Sequence, residues 1–289
     1  MKNFSFLLPV YNDWANLKLL LKIIDKEILN LHHNFDVIIL NDFSKLKHEF
    51  KNEEYKKFNK IKIIHLNRNL GSQRAIAIGL KYISQNYENT NIIIMDADGQ
   101  DDPSILKKII TCALENPEDI VTVNRSQRNE NLWFKILYEL HYCTLILFSG
   151  YNIRFGNYSL INSNKIKKLA TNGNLWAAYP AAISSTFKKT KKIFHVRKKR
   201  FSGSTKMNFF KLLKHSVRVF SVFKTKVFFS SLVISIFLFT LGYIFNSILI
   251  FPIVFLIIGN LIIFITSLEN KRKYLDNFAQ VINFEEDIK

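Results

Sequence analysis

Two aspartates stand one residue apart directly after a short apolar run, in the sequence IIIMDADGQDDP at residues 92–103. The apolar run predicts a strand buried on both faces, so that the aspartates follow its carboxyl end. Because side chains two residues apart in an extended chain point the same way, Asp96 and Asp98 can direct their oxygens to one point. Such a point suits Mg²⁺ or Mn²⁺, which bind carboxylate oxygens, water and substrate phosphate. We therefore predict a metal site formed by Asp96, Asp98 and Gln100.

The same stretch allows a plainer interpretation. Asp101 and Asp102 stand just before Pro103, and proline is typical of the first turn of a helix, where an aspartate often caps the free N–H groups. A solvated acidic turn would then explain these two residues without any ligand. For Asp96 and Asp98 we favour the metal site, because the rest of the chain supplies what such a metal would need.

Apolar runs that alternate with helical patterns predict the elements that position this site. Strands are expected at residues 4–10, 35–40, 61–66, 92–95 and 120–123, and helices at 14–31, 71–84 and 103–115. This alternation predicts an α/β domain with a mostly parallel, doubly wound sheet and helices on both faces. Sheets of this kind bind ligands at the carboxyl ends of their strands, where the aspartates are expected.

The charge of the chain is high and uneven. The 289 residues include 41 Lys and Arg against 23 Asp and Glu, a net charge of +18, and no acidic residue lies between Glu139 and Glu269. A long segment whose charged residues are all basic indicates a polyanionic partner: a nucleic acid, a phosphorylated substrate or an anionic membrane surface. The basic residues at 188–199 are too many for one active site, and we expect most of them to bind anionic lipid. Cys112 and Cys143 lack metal-site spacing and are expected to be ordinary buried thiols of a reducing compartment.

Two uncharged stretches, residues 227–245 and 248–268, each approach the roughly twenty residues needed to cross a bilayer. Only two residues join them, so they predict a helical hairpin. Lys and Arg flank both of its ends, and by the positive-inside rule both ends are cytoplasmic. The alternative, two core helices of a soluble protein, requires a domain that can bury them. A strand-rich domain ending near residue 204 does not provide one.

Five short segments in this order resemble the motif set of family 2 glycosyltransferases. They are PVYN at 9–12, NDFS at 41–44, NLGSQ at 69–73, DADGQ at 96–100 and RFSGSTK at 200–206. The resemblance is strongest to the branch that makes polyprenyl-phosphate sugars, and it continues into the paired apolar helices. It implies a GT-A fold, a Rossmann-like domain with a mostly parallel sheet, followed by the two-helix transmembrane hairpin.

The resemblance also implies a site for a nucleotide-sugar donor. Asp42, at a strand end, is suited to accept hydrogen bonds from a base or from ribose hydroxyls. Gly71 opens a helix whose free N–H groups favour an anion. An ordinary strand-to-helix turn or a plain helix cap remains an alternative for these segments. The donor-binding residues implied are Pro9, Tyr11, Asn12, Asp42, Asn69, Gly71, Gln73, Asp96, Ala97 and Asp98.

The reaction implied is attack by the phosphate oxygen of a polyprenyl phosphate on the anomeric carbon, with inversion and release of the nucleoside diphosphate. Asp98 and Arg200 would act in catalysis. Arg125 and Arg128 would bind the acceptor phosphate through their guanidinium forks, unless they belong to a solvated basic loop. Two positions depart from the family pattern, since Asn41 and Asn157 stand where many relatives carry an acid. A phosphate acceptor is already nucleophilic at pH 7 and tolerates the absence of a base at position 157.

The expected organisation is a catalytic domain at 1–206, a basic amphipathic helix at 207–226, the hairpin at 227–268 and a cytoplasmic tail with a short helix at 269–289. Residues 133–148 predict a helix that lies on the bilayer or in the core of the α/β domain. The expected location is the cytoplasmic membrane, with the catalytic domain and both termini in the cytoplasm. A homo-oligomer is left open, and no nucleic-acid partner is expected. The alternatives are a membrane glycosyltransferase with a hydroxyl acceptor and a non-catalytic membrane-anchored relative.

Overall fold

The structure is a computed structural model that describes residues 1–48, 50, 55–126, 132–203, 209–244, 250–269 and 273–289. The chain divides into two compact units. The first contains Met1–Arg128, Arg154–Thr205 and Arg272–Lys289, and the second contains Asn129–Ile153 and Lys206–Lys271. Every strand described lies in the first unit, and the long apolar helices lie in the second.

The first unit is built on an eight-stranded sheet in the order β7-β5-β6-β4-β1-β2-β3-β8. The pairs β1–β2, β1–β4, β2–β3 and β5–β7 are parallel, while β6 and β8 run antiparallel to their neighbours. The mostly parallel α/β sheet predicted from the sequence is therefore confirmed. The strands are β1 (Asn3–Val10), β2 (Asn34–Asn41), β3 (Phe58–Leu66), β4 (Thr90–Ile94), β5 (Ile120–Arg125), β6 (Phe155–Ile161), β7 (Thr190–His195) and β8 (Ile282–Asp287).

Ten α-helices are described in the two units together. The first unit contains all of them except α4, α7, α8 and α9. They are α1 (Trp14–Glu27), α2 (Ser72–Asn86), α3 (Leu106–Glu115), α4 (Leu132–Ser149), α5 (Ser163–Ala170), α6 (Tyr179–Thr186), α7 (Phe209–Val222), α8 (Lys224–Ile244), α9 (Ile250–Leu268) and α10 (Lys273–Asp276).

The sheet is covered on both faces, as β1 shows. Phe6 and Leu8 pack into a cluster with α1 and α3, whereas Leu7 packs into a second cluster with α2, α5 and α6. All three side chains are fully buried. A strand buried on both faces needs apolar residues at consecutive positions, which explains why β1, β2 and β4 contain unbroken apolar runs.

Three strands are not predicted by the sequence pattern. β6 lies antiparallel between β4 and β5, and β7 and β8 form the two edges of the sheet. The short helix expected in the tail is present as Lys273–Asp276, but the chain then continues as β8, antiparallel to β3. The expectation of a tail with no more than a short helix is therefore wrong, because the tail supplies backbone partners for the free edge of β3.

The second unit is a helical cluster. α8 packs against α9, α7 packs against α9, and α4 packs against α7 and α8. The stretches Lys224–Ile244 and Phe251–Leu268 are long and apolar enough to cross a membrane. Many of their large side chains are exposed, Phe239 at 72% and Phe251 at 84%. These helices fit the expected hairpin and do not have the burial of core helices. α4 groups with them and not with the sheet.

We expect Gly79→Ala to destabilise the protein, although alanine favours a helix by about 1 kcal/mol over glycine. A Cβ at position 79 would lie 2.4 Å from Cδ1 of Leu7 and 2.9 Å from Cδ2 of Leu40, both fully buried. Overpacking of this kind costs about 1–3 kcal/mol. The thermal midpoint of the full chain in detergent should fall by a few degrees. The control Gln85→Ala changes an exposed position of the same helix and should leave the midpoint unchanged. An equal midpoint for Gly79→Ala and the wild type would contradict the close packing of α2 on β1.

Candidate active site

The carboxyl edge of the sheet brings the predicted site residues together. β1 lies between β2 and β4, and the three strands are parallel. The chain passes from β1 to β2 and β3 on one side and later returns to β4 on the other side. A crevice is therefore expected outside the carboxyl ends of β1 and β4, where the direction of winding changes. Residues 11–13 follow β1 and residues 95–102 follow β4, so both segments border this crevice.

The loops after β1 and β2 are joined through Asn12. Its Oδ1 accepts a hydrogen bond from the N–H of Lys45 at 2.8 Å, and its own N–H donates to Oγ of Ser44 at 2.8 Å. Asn12 has a φ of +48°, a conformation that asparagine tolerates better than most residues. Pro9 is buried within β1, and Tyr11, directly after β1, is exposed. The contacts of these residues with a donor remain a prediction.

Asp42 fixes the loop that precedes α2. Its two carboxylate oxygens accept hydrogen bonds from the N–H groups of Leu70 at 2.7 Å and Gly71 at 2.8 Å. Its carbonyl oxygen accepts from Nδ2 of Asn69 at 3.1 Å. Burial raises the pKa of Asp42 to about 6, although both N–H groups oppose this shift. Asp42 therefore orders the loop with the same oxygens that were predicted to bind a base or ribose.

Gln73 connects the first turn of α2 to the metal motif through Asn157. Nε2 of Gln73 donates to Oδ1 of Asn157 at 2.9 Å, and Nδ2 of Asn157 donates to Oδ1 of Asp96 at 2.8 Å. Oε1 of Gln73 accepts from the N–H of Tyr179 at 2.8 Å. Both amide orientations are thereby fixed by their partners. Asn157 orients a predicted metal ligand, a role that its position in the sequence did not reveal.

Two carboxylates of the segment after β4 accept hydrogen bonds from the backbone of the same segment. Oδ1 of Asp98 accepts from the N–H of Gln100 at 3.0 Å, and the N–H of Asp96 donates to Oδ2 of Asp101 at 2.8 Å. Burial and the nearby Asp96 raise the pKa of Asp98, and the same two causes raise the pKa of Asp101 to about 7. Ala97 is buried between the two predicted ligands. Anionic groups held this close and partly desolvated are strongly stabilised by a cation.

Arg200 links the ends of β1 and β4. Its guanidinium forms ion pairs with Asp13 and, at 3.3 Å, with Oδ2 of Asp98. The next residue continues the contact, since the N–H of Phe201 donates to the carbonyl oxygen of Asp98 at 3.2 Å. The phenyl ring of Phe201 lies against Gly99. Residues 196–203, which we call the basic loop, therefore lie directly over the predicted metal ligands.

Two further cations of the basic loop contact acids of the same segment. Nη2 of Arg197 lies 3.5 Å from Oδ2 of Asp96, and Nζ of Lys198 lies 2.9 Å from Oδ1 of Asp102. Nε2 of His195 is 2.9 Å from Oδ2 of Asp102. Burial alone would raise the pKa of Asp102, but Lys198, the N–H of Ser104 and His195 together hold it at about 2. Asp102 also accepts from the N–H of Ser104 as a cap, as the plainer interpretation of the sequence expected.

Sequence reasoning missed part of this arrangement. Arg197 and Lys198 were grouped with the lysines expected to bind lipid, yet they contact the aspartate segment. Asp13 was not singled out, because a lone acid after a strand carries no motif. The backbone of Gln100 takes part, since its carbonyl oxygen accepts from the N–H of Lys198 at 3.0 Å. A role for Gln100 as a metal ligand remains a prediction.

The residues predicted to bind an acceptor phosphate are only partly within the described structure. Arg125 ends β5, and its guanidinium lies near Gly156 of β6. Arg128 lies outside the described residues, as do Ser204, Thr205 and Lys206 of the last motif. The acceptor role of Arg125 remains a prediction.

The aspartate segment can accommodate a divalent cation. Asp96 and Asp98 are each partly exposed, and each has a carboxylate oxygen that lies 3.3–3.5 Å from a guanidinium of the basic loop. The guanidiniums of Arg197 and Arg200 already supply the positive charge that this cluster requires. A metal ion would compensate the same two carboxylates if the basic loop shifted away from them, so the donor set fits Mg²⁺ or Mn²⁺.

Comparison with known proteins identifies relatives of the chain. A model of the family described as glycosyl transferase family 2 matches residues 5–194. An uncharacterized glycosyltransferase of Synechocystis is 29% identical over 216 residues, which cover 72% of this chain and 65% of that protein. An undecaprenyl-phosphate 4-deoxy-4-formamido-L-arabinose transferase of Pseudomonas savastanoi is 27% identical over 135 residues, 46% of this chain and 39% of that protein. The chain thus spans less than two thirds of the length of these two relatives.

A solved structure shares the fold at low sequence identity. Glucosyl-3-phosphoglycerate synthase from Mycobacterium tuberculosis, crystallised with Mn²⁺, UDP and glucosyl-3-phosphoglycerate, superposes with a TM-score of 0.53 at 12% identity. The match covers 78% of this chain and 80% of that chain. This similarity confirms the GT-A type of α/β fold expected from the sequence.

We expect Gly99→Ala to release the basic loop. Gly99 has a φ of +80°, and a Cβ there would lie 2.3 Å from the ring of Phe201. The substitution should displace Phe201 and expose the four consecutive trypsin sites at 197–200. Limited trypsinolysis of the detergent-purified protein should then cut this loop several-fold faster than in the wild type.

The matched control is Gly156→Ala, whose Cβ would meet no atom closer than 3.9 Å. It should leave cleavage of the basic loop unchanged. If the Gly99→Ala protein were cut no faster than the control, the loop would not depend on the contact between Phe201 and Gly99.

Proposed function

Because the chain belongs to glycosyl transferase family 2, we propose that it transfers a sugar from a UDP- or GDP-linked donor to a membrane polyprenyl phosphate such as undecaprenyl phosphate. The observation that carries this proposal is the position of Asn157 against Asp96. An amide at that place orients a metal ligand and cannot accept a proton from an acceptor. The reaction is therefore suited to an acceptor that is already an anion, which a phosphate monoester with a second pKa of about 6 provides at neutral pH.

The donor half of the proposal rests on the carboxyl edge of β1 and β4. Asp96 and Asp98, with Gln100, would hold Mg²⁺ or Mn²⁺, which would neutralise the diphosphate of the donor. The likeness of fold to an enzyme crystallised with Mn²⁺ and UDP supports this assignment. Arg200, which contacts Asp98, can exchange that carboxylate for the departing diphosphate when the metal binds, because a guanidinium pairs with either anion. Asn12, Asp42 and Asn69 keep the surrounding loops in place.

The acceptor half of the proposal rests on the second unit. α8 and α9 expose apolar side chains over most of their length, as helices in lipid do. Lys224 and Lys226 stand at the start of α8, which supports a cytoplasmic location for that end and, for a hairpin, for both ends. A relative that carries undecaprenyl phosphate in its name supports the same class of acceptor. The inner (cytoplasmic) membrane, with the first unit on its cytoplasmic side, is the location we propose.

The direct test is transfer of label from a panel of UDP- and GDP-sugars into organic-extractable lipid, with purified protein, undecaprenyl phosphate and Mg²⁺ or Mn²⁺. One donor should give labelled lipid. Asp98→Ala should reduce the rate by about 100-fold or more, which is typical when a group that stabilises developing charge is lost. Glu115→Ala, which removes an exposed acid of α3, should leave the rate unchanged.

Other outcomes would contradict parts of the proposal. Label that enters a saccharide hydroxyl but no lipid would favour the hydroxyl-acceptor alternative. An absence of transfer from every donor, together with intact nucleotide binding, would favour a non-catalytic relative. Undiminished transfer by Asp98→Ala would remove the aspartate segment from the mechanism.

Asn157→Ala tests the positioning of Asp96. Without the hydrogen bond at 2.8 Å, the carboxylate loses its orientation toward the metal. Loss of such an outer partner typically weakens metal affinity by about 10–100-fold. The Mg²⁺ concentration for half-maximal rate should rise accordingly, while the rate at saturating Mg²⁺ changes less. Asn164→Ala, at an exposed position of α5, is the control. A lower rate at every Mg²⁺ concentration with unchanged metal dependence would exclude this role.

A further inference from the structure

A second cluster of metal-binding side chains lies away from the aspartate segment. It consists of His48 in the loop after β2, His65 near the end of β3, and Glu286 in β8. One donor atom from each of the three residues lies within 4.8 Å of the others. The side chains of His48 and His65 are 15% and 12% exposed, and that of Glu286 is 38% exposed. The cluster is thus partly shielded and still open to solvent on one side.

Two of the three donor–donor distances in this cluster are those of hydrogen bonds and are also close to the spacing of ligands on one metal ion. Nε2 of His48 lies 2.9 Å and Nε2 of His65 lies 3.2 Å from Oε2 of Glu286. Ligands bound tetrahedrally at about 2.0–2.1 Å are about 3.3 Å apart. We propose that His48, His65 and Glu286 form a site for a divalent transition metal such as Zn²⁺, with the remaining position left to water. This proposal rests on the fold alone and is independent of the proposed sugar transfer.

The chemistry of the donors separates this site from the one at Asp96 and Asp98. Two imidazoles and one carboxylate suit Zn²⁺, Co²⁺ and related ions, whereas Mg²⁺ selects oxygen ligands.

The second nitrogen of each imidazole sets a condition for binding. Nδ1 of His48 has no hydrogen-bond partner within the described part of the chain, so its proton can move to Nδ1 without breaking a bond there. Nδ1 of His65 lies 2.9 Å from Nδ2 of Asn41, whose Oδ1 accepts from the N–H of Ser44. Metal at Nε2 of His65 requires a proton on Nδ1, and the amide of Asn41 must then rotate to accept it. A carboxylate at position 41 would accept from both His65 and Ser44 without rotation.

The site would fasten β8 to the sheet. His65 and Glu286 are 221 residues apart in sequence. The residue before Glu286 is held as well, since Glu285 accepts hydrogen bonds from Lys62 at 2.7 Å and from the hydroxyl of Tyr82 at 2.6 Å. A metal at the neighbouring position would add a further side-chain attachment of β8 to β3, beside the ion pairs of Lys60 and Lys62 with Asp287. Binding of metal to the folded state alone stabilises that state.

The test is a Co²⁺ titration of the full-length protein in detergent with Mg²⁺ in large excess, so that oxygen-only sites are occupied. The wild type should bind one equivalent of Co²⁺, with the visible absorption of a site containing nitrogen ligands, and Zn²⁺ should displace it. His65→Gln and Glu286→Gln should each weaken binding by about 100-fold. Asn41→Asp should strengthen it by about 10-fold, as improved outer-partner bonding does.

His33→Gln serves as the matched control. His33 lies just before the amino end of β2, whereas His65 lies near the carboxyl end of β3. It should leave the Co²⁺ affinity unchanged. The higher Co²⁺ affinity expected for Asn41→Asp keeps the test valid even if His65→Gln or Glu286→Gln folds poorly. The proposal is overturned if the wild type binds no stoichiometric Co²⁺ under excess Mg²⁺. It is overturned equally if neither His65→Gln nor Asn41→Asp alters the affinity.

Discussion

Burial of β1 between β2 and β4 is the constraint on which the rest of the structure depends. The three parallel strands are covered on both faces, so their backbone hydrogen bonds are shielded and their ends are fixed relative to one another. Their carboxyl ends therefore present Asp13, Asp42 and Asp96 at one edge. Polar side chains at this edge can be held at hydrogen-bonding distance because the apolar strands behind them cannot shift. The sheet holds the loops in fixed positions, and the loops carry the polar side chains of the candidate site.

Charge compensation is the second organising interaction. The segment 96–102 contains four carboxylates, and the basic loop brings Arg197, Lys198 and Arg200 against them. This pairing explains how so many acids are tolerated in a partly buried place. A divalent cation at the predicted site would compete with the basic loop for the same oxygens. Metal binding would then be linked to movement of the loop by electrostatics.

Much of the fold was predictable from sequence because β1 to β5 are buried on one or both faces and carry apolar runs. β6, β7 and β8 were not predictable: FGNYSLI mixes polar and apolar residues, TKKIFH is an edge strand, and INFEED reads as an acidic tail. Within the site, the spacing of Asp96 and Asp98 predicts that they bind one metal ion, which stays a prediction. The partners Asp13, Asn157 and Arg197 come from distant segments, and they are brought together only because β1, β4, β6 and β7 belong to one sheet. The local sequence pattern cannot predict such pairings, because each of these residues, taken alone, is typical of an ordinary polar residue on a protein surface.

The late position of β8 in the chain has a consequence for biosynthesis. β3 must leave the ribosome long before its edge partner, because His65 of β3 and Glu286 of β8, whose side chains are hydrogen-bonded, are separated by 221 residues. At ordinary elongation rates of about 5–20 residues per second, the edge of β3 stays open for roughly 10–40 s while both apolar helices are made. An open edge of this kind is a template for pairing with other chains. The two long apolar helices α8 and α9 would therefore be synthesised while the edge of β3 is still unpaired.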